Sequence, residues 1–340
     1  MPLNMSKNSK TSLKISIVIP TLNCAIILKK CLLSIKKQSY KNYEIIIADG
    51  GSTDKTLTLA KKYHCHIIKN SLKTAEAGKA VGVKAAKGEY VALIDSDNIL
   101  PNKYWLSQML LPFEDANIIG SEPIAFTYRK NAGFIERYSA LLGANDPYAY
   151  FSGNYDRYSY LSNNWTNLKI KTEDKQSYLK LKIKDCRFLP TIGANGTLFK
   201  RDFLLKNIKG DYLFDIDILA QAKKPIYFAK VKNSIIHTFC ESSIKKFFKK
   251  QNRRLTDYYH YRSLRHYQWT QNSKSISFAI YSLLIFPSLY DSIRGFIKKP
   301  DFAWFFHPLA CLGTTIIYAY ITIKYKLGLL KPLDRNKWQQ

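Results

Sequence analysis

Acidic residues are scarce in this 340-residue chain: 25 Asp and Glu stand against 53 Lys and Arg, a formal charge of +28. A surface that basic seeks polyanions, whether nucleic acid, anionic lipid or phosphorylated small molecules. No nucleic-acid motif is present and the excess lies beside apolar segments, so lipid is the expected partner and nucleic acid is not. The six cysteines (Cys24, Cys31, Cys65, Cys186, Cys240 and Cys311) form no Cys-x-x-Cys pair. That argues against a structural zinc or a thioredoxin-type site and for scattered reduced thiols. There is no G-x-x-x-x-G-K-[ST] phosphate loop, and no G-x-G-x-x-G follows the first predicted strand. The first 14 residues are polar and basic, without the apolar stretch of a signal peptide, so the sequons at Asn164 and Asn195 are expected to be chance.

What the chain does have is a core: 46% of its residues are hydrophobic, and its 24 tyrosines suit a membrane interface. After the basic tail at 1–14, β-branched runs alternate with amphipathic ones. Strands are predicted at 15–20, 43–48, 66–68 and 89–94. Helices are predicted after the first strand (Ile26, Ile27, Cys31, Leu32 and Ile35 at helical spacing), at 53–63 and at 75–86. Such alternation predicts an α/β fold, a mainly parallel sheet with flanking helices and a ligand site beyond the carboxyl ends of the strands. Residues 145–185, rich in Tyr, Asn and Ser, read as a loop-rich insertion, with order returning at Phe188. The domain reading is 15–240, divided into 15–115 and 116–240, then a basic amphipathic helix at 241–274, an apolar helical pair at 275–325 and a basic tail at 326–340.

The apolar pair comprises uncharged runs at 275–290 and 302–323, joined by a basic linker at 291–301. The second run is long enough to cross a bilayer core, which takes about 20 residues. Basic flanks on both sides place those flanks in the cytoplasm. A spanning hairpin, a re-entrant or interface-lying pair, and a buried soluble hairpin all remain open.

Each early strand ends in polar residues: Pro20-Thr21-Leu22-Asn23, Asp49-Gly50-Gly51-Ser52 and Asp95-Ser96-Asp97. Two carboxylates at i and i+2 after a buried strand suit a hard divalent cation shared with substrate phosphates. The glycines after Asp49 permit close backbone approach.

In that order, and with Ala85-Ala86-Lys87-Gly88-Glu89-Tyr90 before the last, these segments resemble the inverting family 2 glycosyltransferases of GT-A fold. The resemblance implies a nucleotide-sugar donor, Mg²⁺ or Mn²⁺, and direct displacement at the anomeric carbon. It places Thr21, Asn23 and Asp49 at the nucleoside, Asp95 near ribose and metal, and Asp97 on the metal. Asp49-Gly50-Gly51 replaces the usual Asp-Asp-Gly, and Lys79-Ala80 the usual Arg-Asn. Lys79 would face the diphosphate as a point charge. Gly193 to Arg201 resembles the acceptor-side segment, and Asp215 falls on the general-base position, with Asp217 next to it. His237 lies where some members bring a histidine to the metal. Gln251-Asn252-Arg253-Arg254-Leu255 is similar to the Gln-x-x-Arg-Trp element without its Trp, which leaves Arg254 for the diphosphate and does not support processive synthesis. The expected acceptor is a lipid-linked glycan, a polyprenyl phosphate or another glycan, at the cytoplasmic face of the membrane. The alternatives are a sugar-nucleotidyltransferase and a non-catalytic basic protein binding membrane or nucleic acid.

Overall fold

The computed structural model describes residues 14–185, 189–193, 195–208, 210–265, 267 and 274–335. The tail at 1–13, Cys186, Phe188, Ala194, much of 266–273 and the end of the chain from 336 lie outside the described residues.

The first half follows the predicted alternation. β1 (Ile15–Thr21) leads to α1 (Ala25–Lys36), β2 (Tyr43–Asp49), α2 (Thr56–Lys62), β3 (His66–Lys69), α3 (Ala75–Ala85) and β4 (Tyr90–Ile94). All four strands pair in parallel, in the order β3-β2-β1-β4. β1 is buried along its whole length, so its run of Ile and Val needs no alternation. In α1 the buried side is Leu28, Cys31, Leu32, Ser34 and Ile35. Ile26, expected on the apolar face, is 82% exposed, because it lies in the first turn on the side facing away from the sheet.

α3 sits unusually close to the sheet. A methyl group on Gly82 would lie 2.2 Å from Val18 Cγ1, and one on Gly78 would lie 2.8 Å from Pro20 Cβ. Glycines at i and i+4 thus let the helix rest on β1 and present Lys79, buried, beside the strand ends.

The second half continues with β5 (Asn98–Ile99), α4 (Trp105–Leu110), β6 (Ile118–Phe126), α5 (Phe134–Leu142), α6 (Pro147–Ser152), β7 (Lys171–Asp174) and β8 (Tyr178–Ile183). Then come β9 (Asn195–Lys200), α7 (Arg201–Asn207), α8 (Asp215–Gln221) and β10 (Ile226–His237). The sheet extends as β4-β9-β6-β10-β8-β7, with β9 antiparallel to both its neighbours and β6 parallel to β10. The predicted loop-rich insertion is therefore partly structured. It contains α6 and a Lys-rich edge hairpin, β7–β8, whose outer strand is fully exposed and so lacks an apolar pattern. Its Tyr155 and Trp165 are core residues.

The C-terminal part is α9 (Ile244–His260), α10 (Lys274–Leu283), α11 (Phe286–Lys298) and α12 (His307–Lys326), with a 3-10 turn at Phe302–Phe306. α9 ends well before 274, and its apolar side packs on α12: Phe248 fills the space over Gly313, and Tyr259 stacks on Tyr325 at 4.1 Å. The predicted linker at 291–301 is helical through Lys298, and the first apolar run is broken by an 82° bend between α10 and α11.

Candidate active site

β1, β2, β4 and β10 all end at one edge of the sheet, and most of the residues singled out in the sequence gather there. Thr21 Oγ1 donates to Asp49 Oδ1 at 2.9 Å. The Asp49 carboxylate also accepts from the backbone N–H of Gly51 and of Ser52, both at 2.8 Å, and from Ser52 Oγ at 2.6 Å. Asn23 takes a φ of 49°, a conformation Asn tolerates, and its Oδ1 accepts from Thr53 N at 2.8 Å. Thr21, Asn23 and Asp49 thus knit the first two loops together. Four donors already occupy Asp49, so a nucleobase N–H would have to displace one of them.

The Asp95-Ser96-Asp97 turn is held from both sides. Asp95 N donates to Asn98 Oδ1 at 3.0 Å, and β5 pairs with the end of β10 so that Asn98 faces His237. Thr238 donates from both N and Oγ1 to the Asp97 carbonyl, each at 3.0 Å. His237 Nε2 comes to 3.3 Å from Asp97 Oδ2, and Lys250 Nζ of α9 reaches the same oxygen at 3.2 Å. Burial alone would raise the Asp97 pKa, but His237 and Lys250 outweigh it and hold the carboxyl well below the usual carboxylate range. Asp95 behaves oppositely. Burial pushes it up to about 6; Lys79 opposes this, while Asp97 and Asp215 add to it.

Among the described residues no three His, Cys, Asp or Glu side chains converge as a metal-binding group. Asp97 and His237 meet as expected, and Asp95 does not join them. The pair nevertheless suits a hard divalent ion that draws its remaining ligands from substrate phosphate and water. A cation, the Lys250 ammonium, already sits on the Asp97 oxygen. Asn145 Nδ2 lies 3.2 Å from His237 Nδ1, while the buried Asn145 Oδ1 has no hydrogen-bond partner among the described residues. Rotating that amide by a half-turn presents Oδ1 to Nδ1–H and leaves the Nε2 lone pair free for a metal.

Asp215 opens α8, its carboxylate at the helix N-terminus. Lys79 Nζ lies 2.6 Å from Asp215 Oδ2. Asp215 Oδ1 is buried and, among the described residues, without a hydrogen-bond partner. Burial raises the Asp215 pKa, with Lys79 opposing. For Lys79 burial works the other way, and Asp215 and Asp95 outweigh it to raise its pKa. Lys79 therefore couples Asp95 to Asp215. The neighbouring Asp217 is buried and accepts from Tyr267 N at 2.6 Å.

Arg254 lies one turn beyond Lys250 and is engaged within the protein. Its Nη1 lies 3.2 Å from Asp146 Oδ2 and donates to Gln251 Oε1 at 2.6 Å. Lys250, one turn earlier, reaches Asp97 instead. Sequence reading counted it only among the charges of a basic helix, and helical spacing from Arg254 was the one signal available.

A second group escaped sequence reading altogether. Glu122 on β6 and Lys230 on β10 are fully buried and ion-paired, and Arg157 Nη1 lies 2.7 Å from Glu122 Oε1. Asp156 pairs with Arg157 and accepts from Thr191 Oγ1 at 3.1 Å. Glu122 also accepts from Thr197 Oγ1 at 3.2 Å, and Arg157 donates to the Asn195 carbonyl at 3.2 Å. These charges brace the segment from Thr191 to Thr197, whose Gly193 faces Asp215. A Glu and a Lys among the apolar residues of Ile118–Phe126 and of 226–231 were the available clue.

Comparison with known proteins bears on the family of the chain. Glycosyltransferase GlyG of Streptococcus pneumoniae is 36% identical over 92 residues, 25% of this chain and 31% of that one. The Escherichia coli protein named UDP-Glc:alpha-D-GlcNAc-diphosphoundecaprenol beta-1,3-glucosyltransferase WfaP is 33% identical over 118 residues, 34% of this chain and 44% of that one. The matched stretch spans about a third of the length of curated relatives such as GlyG. Among solved structures, the mannosyltransferase PcManGT of Pyrobaculum calidifontis, in complex with GDP-Man and Mn²⁺, aligns with a TM-score of 0.46 at 13% identity, covering 99% of this chain and 86% of that one. S. aureus TarS 1-349 aligns with a TM-score of 0.46 at 14% identity, covering 93% and 92%. Residues 16–206, more than half of the chain, match the profile of Glycosyl transferase family 2, and the chain belongs to that family.

Proposed function

We propose that this chain transfers a sugar from a nucleotide-sugar donor to a hydroxyl or phosphate of a lipid-linked or glycan acceptor, with inversion at the anomeric carbon, at the cytoplasmic face of a membrane. The observation that carries the reading is the buried Asp215 Oδ1, without a hydrogen-bond partner among the described residues, held beside Lys79 and electrostatically linked to Asp95. A carboxylate oxygen with no donor of its own, its pKa raised by burial, suits a general base. The acceptor oxygen attacks the anomeric carbon, its proton passes to Asp215, and the bond to the nucleoside diphosphate breaks. Lys79 holds Asp215 until the donor diphosphate competes for the ammonium. Thr21, Asn23 and Asp49 support the nucleoside end. Asp97 and His237 would hold Mg²⁺ or Mn²⁺, with Asp95 beside them. The ion, when bound, screens the diphosphate and stabilises the leaving group. Lys250 leaves Asp97 as the donor arrives. Family membership favours glycosyl transfer over the nucleotidyltransferase alternative.

The lipid-linked acceptor draws support from the name of the relative WfaP, which specifies a diphosphoundecaprenol-linked sugar. Membrane association draws support from the apolar 302–326 helix and the lysines around it.

Titration with UDP and GDP, with and without Mn²⁺, tests the donor half of this reading. Asp97→Ala is expected to lower the Mn²⁺-dependent nucleotide affinity by at least about tenfold. In the unaltered chain that affinity should also fall as the pH drops through about 6, where Asp95 takes up its proton. An affinity indifferent to metal in both proteins would remove Asp97 from the metal.

A further inference from the structure

The three C-terminal helices carry large apolar side chains on the outside and bury small or polar residues beside apolar ones such as Phe278, Ala310 and Ile321 where they pack. α11 buries Ser288, Ser292 and Gly295, and α12 buries His307, Cys311 and Thr314. Their outward sides carry Ile280 (54% exposed), Phe286 (80%), Ile297 (73%), Ile316 (58%) and Ile323 (57%). A helix on a water-facing surface shows the reverse pattern. The three helices pack on one another, so these exposed apolar residues are gathered on one subassembly of the molecule.

Residues 302–326 are long and apolar enough to cross a bilayer. Yet α12 is fastened to the catalytic domain along its length. His307 Nδ1 lies 2.6 Å from Tyr138 OH of α5. Tyr318 OH donates to Asp146 Oδ2 at 2.6 Å, and Thr322 meets Tyr259 OH of α9 at 3.0 Å. These anchors stretch over four helical turns, roughly 20 Å or more, most of the thickness of a hydrocarbon core. If α12 crossed the membrane with these contacts intact, it would draw the Asp146 carboxylate and the basic helix α9 into lipid.

We propose that α10, α11 and α12 lie in the plane of an anionic bilayer, their outward faces sunk into one leaflet, and do not span it. The charge pattern fits this partner. Between 274 and 331 seven Lys and Arg accompany only Asp291 and Asp301. Both aspartates are paired within the protein, Asp291 with Arg294 and Asp301 with Arg137. Lys326 at the end of α12 is exposed and can meet lipid phosphates. The proposal deepens the membrane part of the proposed function and does not depend on the transfer chemistry.

The test uses the full chain with vesicles of phosphatidylcholine alone and of phosphatidylcholine mixed with phosphatidylglycerol. Binding is expected to favour the mixed vesicles and to weaken with salt. Ile280→Glu combined with Phe286→Glu should lower the bound fraction about tenfold or more, since burying charged side chains in the leaflet is costly. Metal-dependent nucleotide affinity should be unchanged; its loss in the parent chain, with vesicle binding intact, would strike the transferase reading alone. If the double variant misfolds, Lys324→Gln with Lys326→Gln should still reduce the preference for anionic vesicles. Cysteines introduced at Phe302 and Leu329, near the two ends of the apolar segment, should both gain label from a membrane-impermeant thiol reagent outside sealed vesicles. Label at only one of them would mean a span and overturn the proposal. So would the absence of vesicle binding, or a concentration-dependent dimer that forms in its place.

Discussion

Asp215→Asn is expected to lower the transfer rate by about 10²–10⁴-fold, the usual cost of losing a positioned base, while nucleotide affinity stays near that of the parent chain. The substitution keeps size and shape and removes only basicity. The partner chemistry explains why the two readouts should separate. Thr21, Asn23, Asp49, Asp95 and Asp97 sit on the loops after β1, β2 and β4, and none of them hydrogen-bonds Asp215. Asp215 reaches that group through the ion pair with Lys79 and through the repulsion between its own charge and that of Asp95. Freed from Asp215, the Lys79 ammonium keeps Asp95 as a neighbour, so donor binding should hold or tighten slightly. Transfer near the parent rate would eliminate Asp215 and turn attention to Asp217. Loss of both transfer and affinity would make Asp215 a structural partner of Lys79 and leave the base unidentified.

Glu122→Gln should cost stability more than any surface change in the molecule. Glu122 is fully buried between Arg157 and Lys230, themselves buried. Removing its charge leaves two cations facing one remaining carboxylate, Asp156. Breaking a buried pair from one side typically costs about 3–5 kcal/mol. At about 2–4 °C per kcal/mol for a large domain, the melting temperature should fall on the order of 10 °C. The segment that Glu122 braces through Thr197 should loosen as well, raising the acceptor KM before the donor KM. Replacing Glu122, Arg157 and Lys230 together with apolar residues of similar volume is expected to recover much of the stability without recovering the acceptor KM. A single variant that melts within a degree or two of the parent would show that these charges hold nothing.

The donor half was legible in the sequence because its signals are local. β1 to β4 are short apolar runs, each closed by a polar cluster, and the structure puts all four in parallel order. The acceptor half was not, because its elements are defined by partners far along the chain. β9 pairs with β4 across some hundred residues, and the β7–β8 hairpin has no apolar outer face to announce it. The meeting of Asp97 with His237 depends on the two-residue pairing of β5 with β10, which no spacing predicts. Lys250 reaches Asp97 and Arg254, one turn later on the same face of α9, reaches Asp146; that face is turned inward because α12 packs against Phe248 and Tyr259, a contact no local spacing announces. The apolar helices were recognised as apolar, but whether they span or lie flat was unreadable until the anchors from His307 to Tyr325 fixed α12 to the body of the protein.

The antiparallel insertion of β9 beside β4 has one more consequence. Ile94 and Asn195 are register partners, so everything between them is an excursion whose two ends are clamped by adjacent backbone hydrogen bonds. The entropy of closing a loop grows only with the logarithm of its length, about 0.6 kcal/mol for each doubling. Added residues at an exposed point of that excursion, such as the turn joining β7 to β8, therefore cost the sheet very little. The loops after β1, β2 and β4 stay where those strands put them, while the chain opposite can lengthen, shorten or change character. An architecture closed in this way can vary one half of its sheet without disturbing the loops that the other half holds in place.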